Sequence, residues 1–179
     1  MKKILKITGV VLISVLVACS GNKQESDFDK VMPNKGGDFR GLNLNSPKEE
    51  VLEIEGKEGL VEEGDDYLDY TRIINPDERF SYNLSMEFDD KGLYIITMDV
   101  FVEDESNKEE SIKRGHELYN AFVKHFTEKF GQPAEKEDNL YTLWEFKAKN
   151  GGNASEATVK DFSEEDGYGS VTVSVGAIE

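Results

Sequence analysis

The chain has 179 residues and a formal net charge of −16, from 21 basic and 37 acidic side chains. That length suits one ordinary domain or two small fused repeats, and ten Phe with seven Tyr supply material for a core. The acidity excludes the basic footprint of a nucleic-acid binder and electrostatic adhesion to anionic lipid. It fits plain solubility or a basic partner, whose encounter a complementary field accelerates.

Met1-Lys2-Lys3 with Lys6 forms a positive n-region, and Ile7 to Val17 is an apolar run broken by Thr8, Gly9 and Ser14. The run is too short for a helix to cross a hydrocarbon layer of about 30 Å, so residues 1–18 are expected to be a signal peptide. The next residue, Cys19, is the only cysteine. Leu16-Val17-Ala18-Cys19 resembles the lipobox of bacterial lipoproteins. That resemblance implies cleavage before Cys19, diacylglycerol on its thiol and a fatty acyl chain such as palmitate on the new amino terminus. It places the protein in the bacterial cell envelope, lipid-anchored to a membrane outside the cytoplasm. A lipidated Cys19 leaves no thiol for a disulfide, a zinc site or a nucleophile.

Residues 19–38 are polar and are expected as a flexible, lipidated tether to a single α+β domain over 39–179. Ser46-Pro47-Lys48-Glu49 reads as a capping box opening a short helix, with Val51, Leu52 and Ile54 as its stripe and Gly56 as its stop. Strands are expected over Tyr67 to Ile74, Phe80 to Phe88 and Leu93 to Val102, the last two joined at Asp89-Asp90-Lys91-Gly92. Ser106-Asn107-Lys108-Glu109 reads as a second capping box. The helix to Phe130 carries Ile112, Tyr119, Phe122, Val123, Phe126 and Phe130 at helical spacing. Strands follow over Leu140 to Lys147, Ala157 to Phe162 and Ser170 to Ile178. The expectation is an antiparallel sheet of about six strands against one long and one short helix. A helix-plus-three-strand unit would occur twice, over 42–102 and 106–179.

Leu44 to Val51 resembles the aliphatic–Gly–Met–Ser/Thr signature that precedes a helix in a family of small envelope modules, with Asn45 standing where Gly is expected. Phe130-Gly131-Gln132-Pro133 with Leu143-Trp144-Glu145-Phe146 resembles the family's later Leu-Gly-x-Pro and aromatic strand. The family includes the small lipoprotein of the outer-membrane β-barrel assembly machinery and the β-lactamase inhibitor protein. The resemblance implies a module that binds another protein through its sheet, with no chemistry of its own.

Little in the chain suggests catalysis. His116 and His125 lie nine residues apart on one helix, hence on opposite sides, and cannot share a ligand. The acidic clusters at 62–66, 89–90, 103–105 and 164–166 lack calcium-loop spacing and fall at strand ends, where solvated turns are expected. No metal, cofactor or catalytic residue is assigned. Trp144 is either core or a partner anchor; Tyr67, Tyr70 and Tyr141 share that ambiguity, because Trp and Tyr dominate interface hot spots. With Glu103, Asp104 and Glu105 they are the candidate partner-binding residues. The expected function is that of a membrane-anchored, non-enzymatic protein-binding module. An acidic inhibitor or immunity protein against a basic hydrolase or toxin is the sharper alternative. An envelope enzyme with paired carboxylates is the alternative of another class. An exposed aromatic patch ringed by acids favours the inhibitor; a deep pocket with converging carboxylates favours the enzyme.

Overall fold

The computed structural model describes residues 25–178, so the expected signal peptide and Cys19 lie outside the described residues. Eight strands and four helices are present among the described residues. The first half holds α1 (Asp27–Val31), α2 (Lys48–Glu55), β1 (Leu60–Glu63), β2 (Tyr67–Asn75), β3 (Phe80–Asp89) and β4 (Gly92–Val102). The second holds α3 (Lys108–Phe130), β5 (Glu135–Glu137), β6 (Tyr141–Lys147), β7 (Ala154–Asp161), α4 (Ser163–Asp166) and β8 (Gly169–Ala177). All eight strands form one antiparallel sheet in the order β1-β2-β3-β4-β8-β7-β6-β5. The order mirrors about the central β4–β8 pair. Each half contributes four strands, not the expected three, and α4 interrupts the second run between β7 and β8. The additional strands are the edges: β5 is Glu-Lys-Glu, with no apolar signal, and β1 alternates poorly.

Alternation divides the sheet into two faces. Leu68, Tyr70, Tyr82, Leu84, Met98, Val100, Val159, Trp144 and Val173 point to the inner face and are almost fully buried. The long helix α3 crosses β4, β8, β7 and β6 on that face. Phe122 and Phe126 are wholly buried, and Phe126 meets Trp144 edge-on at 5.5 Å. Phe130 stacks on Phe146 at 4.0 Å. Near its start α3 comes so close to α4 and β8 that only glycine fits. A Cβ on Gly115 would lie 2.0 Å from Ser163 Oγ and 2.8 Å from the Gly169 backbone. Asn107, not Ser106, caps this helix, its side chain accepting from the Glu110 N–H. The first capping box does not form either: Pro47 is the cap position and the Ser46 hydroxyl is buried without a partner.

The short helix covers less than expected, with Val51 buried and Ile54 42% exposed. The first half of the sheet is covered instead by the segment expected to be tether. From Asp27 onwards this segment packs on the domain: Val31 and Met32 are fully buried and Phe28 meets Phe122 at 5.0 Å, and Phe39 and Leu42, just beyond it, are fully buried as well. This correction has a specific cause. Arg40 sits in a left-handed turn at φ 52°, a conformation that costs a side-chain-bearing residue about 1–2 kcal/mol. The turn aims its guanidinium inward, where Nε meets Glu55 Oε1 at 3.0 Å, with those side chains 2% and 3% exposed. Arg72 Nη1 reaches Glu55 Oε2 at 3.0 Å, and both arginines donate to the Tyr82 hydroxyl, at 3.1 and 3.2 Å. Arg40 also donates to the Val31 carbonyl. One carboxylate thus ties together the N-terminal segment, the end of α2, β2 and β3.

Removing one partner of a buried ion network strands the others. Glu55→Gln should therefore lower unfolding free energy by about 3–5 kcal/mol in urea denaturation. Adding Arg40→Met to it should cost much less than the two single effects summed, because the stranded charge leaves with its partner. Phe126→Ala should cost a comparable 3–5 kcal/mol by cavity formation, checked by the same measurement.

Candidate partner-binding face and acidic end

Among the described residues, no helix lies on the outer face. Register aligns one row of side chains across the whole sheet: Glu62, Asp69, Ser85, Thr97, Ser174, Thr158, Leu143 and Glu135. The row is acidic at both edges and small and hydroxylated at the centre. The neighbouring row carries Thr71, Asn83, Asp99, Thr172, Lys160 and Tyr141. Hydrogen bonds run along it, from Thr172 Oγ1 to Asp99 Oδ1 at 2.6 Å and from Thr71 Oγ1 to Asn83 Oδ1 at 2.8 Å.

The last row differs. Ile73, Ser81, Phe101 and Ser170 align, and the Phe162 N–H donates to the Ser170 carbonyl at 2.9 Å, which extends the row to Phe162. Ile73 is 67% exposed, Leu140 51% and Phe162 36%. Phe101 and Tyr168 are half-buried in a groove of about 400 Å³ that Ile73, Pro76, Arg79 and Glu103 complete. A second hollow, of about 500 Å³, lies beyond Phe162 and is lined by Leu140, Tyr141, Lys160, Asp161 and His116. Acidic side chains ring this end. Glu103 and Glu105 hold Arg79 at 3.3 and 2.7 Å, and Glu164, Glu165 and Asp166 occupy α4.

The residues singled out in the sequence divide accordingly. Trp144 is fully buried and Tyr70 is 1% exposed, so neither can anchor a partner. Tyr70 donates to the Gly56 carbonyl at 3.1 Å under the Arg72 guanidinium, and the Trp144 ring fills the space beneath α3. Tyr67 lies on the outer face near the β1 edge, donating to the Glu62 carboxylate. Tyr141 is on that face too, with the Lys160 ammonium 5.8 Å from its ring centre. Glu103 and Glu105 belong to the acidic end. Asp104 has a local duty: its carboxylate accepts from the Ser106 hydroxyl at 2.6 Å and backbone N–H at 2.9 Å, turning the chain into α3. Sequence reasoning missed Ile73, Phe101, Phe162, Tyr168 and Leu140. Phe101 carried a usable signal, since it breaks the alternation between Val100 and Val102.

The two histidines occupy opposite environments. His116 Nδ1 lies 2.7 Å from Asp161 Oδ2, and Nε2 lies 3.1 Å from Glu164 Oε1, so the charged ring bridges α3 to β7 and α4. The hydrogen bond to Asp161, with help from Glu164, raises the pKa of His116. His125 packs against Phe28 and Phe126 at 5.7 and 5.5 Å, with Nε2 buried and unpartnered. Burial, then the nearby lysine charges, push its pKa down to about 4. Among the described residues, no group of His, Cys, Asp or Glu side chains is arranged to hold a metal ion.

The two shifts act on stability with opposite sign. The raised His116 pKa contributes stability that is complete below about pH 6.5 and is lost as pH rises through the folded-state value. The lowered His125 pKa contributes stability present above about pH 6.5 and lost as pH falls towards 4. Urea midpoints should show His116→Gln furthest below the wild type in acid. His125→Gln should flatten the wild-type decline between pH 6.5 and 4.

Comparison of the chain with protein-family models, with curated proteins and with solved structures gives no match.

Proposed function

We propose that this protein is a lipid-anchored envelope module that recognises another protein, without chemistry of its own, through its uncovered sheet face and acidic end. The observation that carries the reading is a row in which exposed Ile73 and Phe162 flank half-buried Phe101, beside Glu103, Glu105 and Glu164. Apolar side chains held open on rigid strands and rimmed by polar groups are the usual composition of an interface centre and its rim. Their surroundings favour a basic partner, and hence the inhibitor or immunity class. The outer face also carries Asp69, Glu87, Asp99, Glu145 and Glu156, against Lys147 on β6 and Lys160 on β7. The eight-strand sheet with one bare face agrees with the sheet-binding mode implied by the resemblance to small envelope modules. The Leu16-Val17-Ala18-Cys19 lipobox supports the anchor.

The test is affinity capture from native envelope with immobilised residues 25–179, followed by kinetics with the captured protein. Phe101→Ala should weaken binding by about 2 kcal/mol or more, roughly thirtyfold in Kd. The association rate should fall as salt rises from about 0.01 to 0.15 M, where the Debye length shrinks from about 30 to 8 Å, while dissociation changes little. A partner whose association ignores salt and tolerates Phe101→Ala would overturn this reading.

A further inference from the structure

Helix α4 carries Glu164, Glu165 and Asp166 in succession. Among the described residues, His116 is the only cation within ion-pair distance of these carboxylates, with Nε2 3.1 Å from Glu164 Oε1. On the α3 side this contact cannot yield. Gly115, next to His116, lies so close to Ser163 and Gly169 that no Cβ fits. His116 Nδ1 is held at 2.7 Å by the buried carboxylate of Asp161. A carboxylate only accepts, so Nδ1 keeps its proton in the neutral ring too, and Nε2 is the position that gains or loses one.

On the α4 side the contact can yield. Ser163 is fixed, its N–H donating to Asp161 Oδ1 at 2.9 Å and its hydroxyl accepting from the Ser170 N–H at 3.0 Å. Beyond it the Glu164 side chain is exposed, and the helix ends at Gly167 in the left-handed region, φ 74°. Tyr168 follows and completes the groove of Phe101 and Ile73, while Glu164 and Glu165 wall the hollow of Leu140 and Phe162. One turn of helix thus borders both depressions of the apolar row. The charged and titratable groups around the ring are Asp161 and Lys160 of β7, Glu164 and Glu165 of α4 and Tyr141 of β6. Its charged neighbours along α3 are engaged elsewhere, Lys113 with Glu117 at 3.8 Å and Arg114 with Asp27 and Glu78.

We infer that His116 is a proton-operated latch on α4: the charged ring holds the helix closed against the end of the sheet, and loss of the Nε2 proton releases Glu164 and, with it, Tyr168. In the neutral ring the Nε2 lone pair faces the Glu164 carboxylate, so attraction becomes repulsion, and three adjacent like charges are left without a counter-charge. The Asp161 contact survives, because Nδ1 keeps its proton. Opening is confined to residues 164–168; it widens the hollow beside Phe162 and bares the groove of Phe101. The hydrogen bond to Asp161 and then that to Glu164 raise the pKa of His116. The closed state is therefore complete below about pH 6.5 and gives way as pH rises through the folded-state value. The bearing of the latch on recognition rests on the partner-binding reading: with His116 neutral, a partner meets more apolar surface and an unpaired Glu164. By linkage, such a partner lowers the His116 pKa by as much as proton loss favours its binding.

The test uses the full chain in neutral detergent, with 4-fluorophenylalanine in place of Tyr168 or, as a control, of the wholly buried Phe39. Fluorine NMR is followed between about pH 5.5 and 9, and the ring resonances of His116 give its midpoint in the same samples. The signal at position 168 should shift with that midpoint. Its relaxation by a neutral gadolinium chelate should rise about twofold or more above the midpoint, as local opening exposes the ring. The signal at position 39 should do neither. A position-168 signal that ignores pH while His116 titrates overturns the latch. Glu164→Gln, at an exposed site, removes the charge that answers the ring and leaves His116 on Asp161. In that variant His116 should still titrate and position 168 should not. A response at position 168 that persists in Glu164→Gln, or in His116→Gln, overturns the route through this contact. No partner enters the measurement, so a negative result leaves the protein-binding reading standing.

Discussion

The buried contact between Glu55 and the guanidinium groups of Arg40 and Arg72 is the constraint on which the first half of the molecule depends. A sheet eight strands wide is broader than one helix can cover. Helix α3 lies over β4, β8, β7 and β6, which leaves the inner side of β2 and β3 in need of another layer. Beyond α1 that layer is irregular backbone, and irregular backbone needs something other than helical hydrogen bonds to hold it. Arg40 supplies it by donating to the Val31 carbonyl on one side and to Glu55 and Tyr82 on the other. Because all five guanidinium hydrogens are fixed in a plane, a lysine at this position could not make the same set of contacts. The network thus specifies one arrangement of the N-terminal segment, and that arrangement fixes where the chain enters the domain.

The parts that were legible in the sequence are those where one residue pattern dominates. Phe80, Tyr82, Leu84 and Met86 alternate cleanly, and the register of β3 follows that alternation. The aromatic stripe of α3 likewise predicted the face it buries. The N-terminal layer was illegible for a physical reason. Val31, Met32, Phe39 and Leu42 are scattered among lysines, aspartates and glycines, with no period of 2 or 3.6 to mark them. Their burial is a tertiary event, made possible by an arginine and a glutamate fifteen positions apart. Strand β5 was illegible in the opposite sense: Glu135-Lys136-Glu137 is a strand because β6 offers it hydrogen bonds.

The candidate site shows the same division. Charge runs at 103–105 and 164–166 could be read directly, but not that a loop and a short helix some sixty residues apart would flank one row of apolar side chains. Antiparallel pairing of β4 with β8 brings them together, at Phe101 opposite Ser170. Trp144 and Tyr70 failed as anchors because composition identifies large aromatic side chains without saying which face of a strand they occupy. The parity that places Thr142 and Trp144 inside puts Tyr141 and Leu143 outside.

The edges of the sheet have a consequence for polymerisation. An open sheet has two free margins, and a margin with unpaired N–H and C=O groups is a template for another copy of itself. Here β1 is four residues long, with an irregularity between Leu60 and Glu62, and β5 is three residues long with every side chain exposed. Glu62 and Glu63 stand on one margin and Glu135 and Glu137 on the other, so like charges meet whenever two such margins approach. Short, acidic margins therefore oppose edge-to-edge pairing of two copies and leave the broad face of the sheet uncovered.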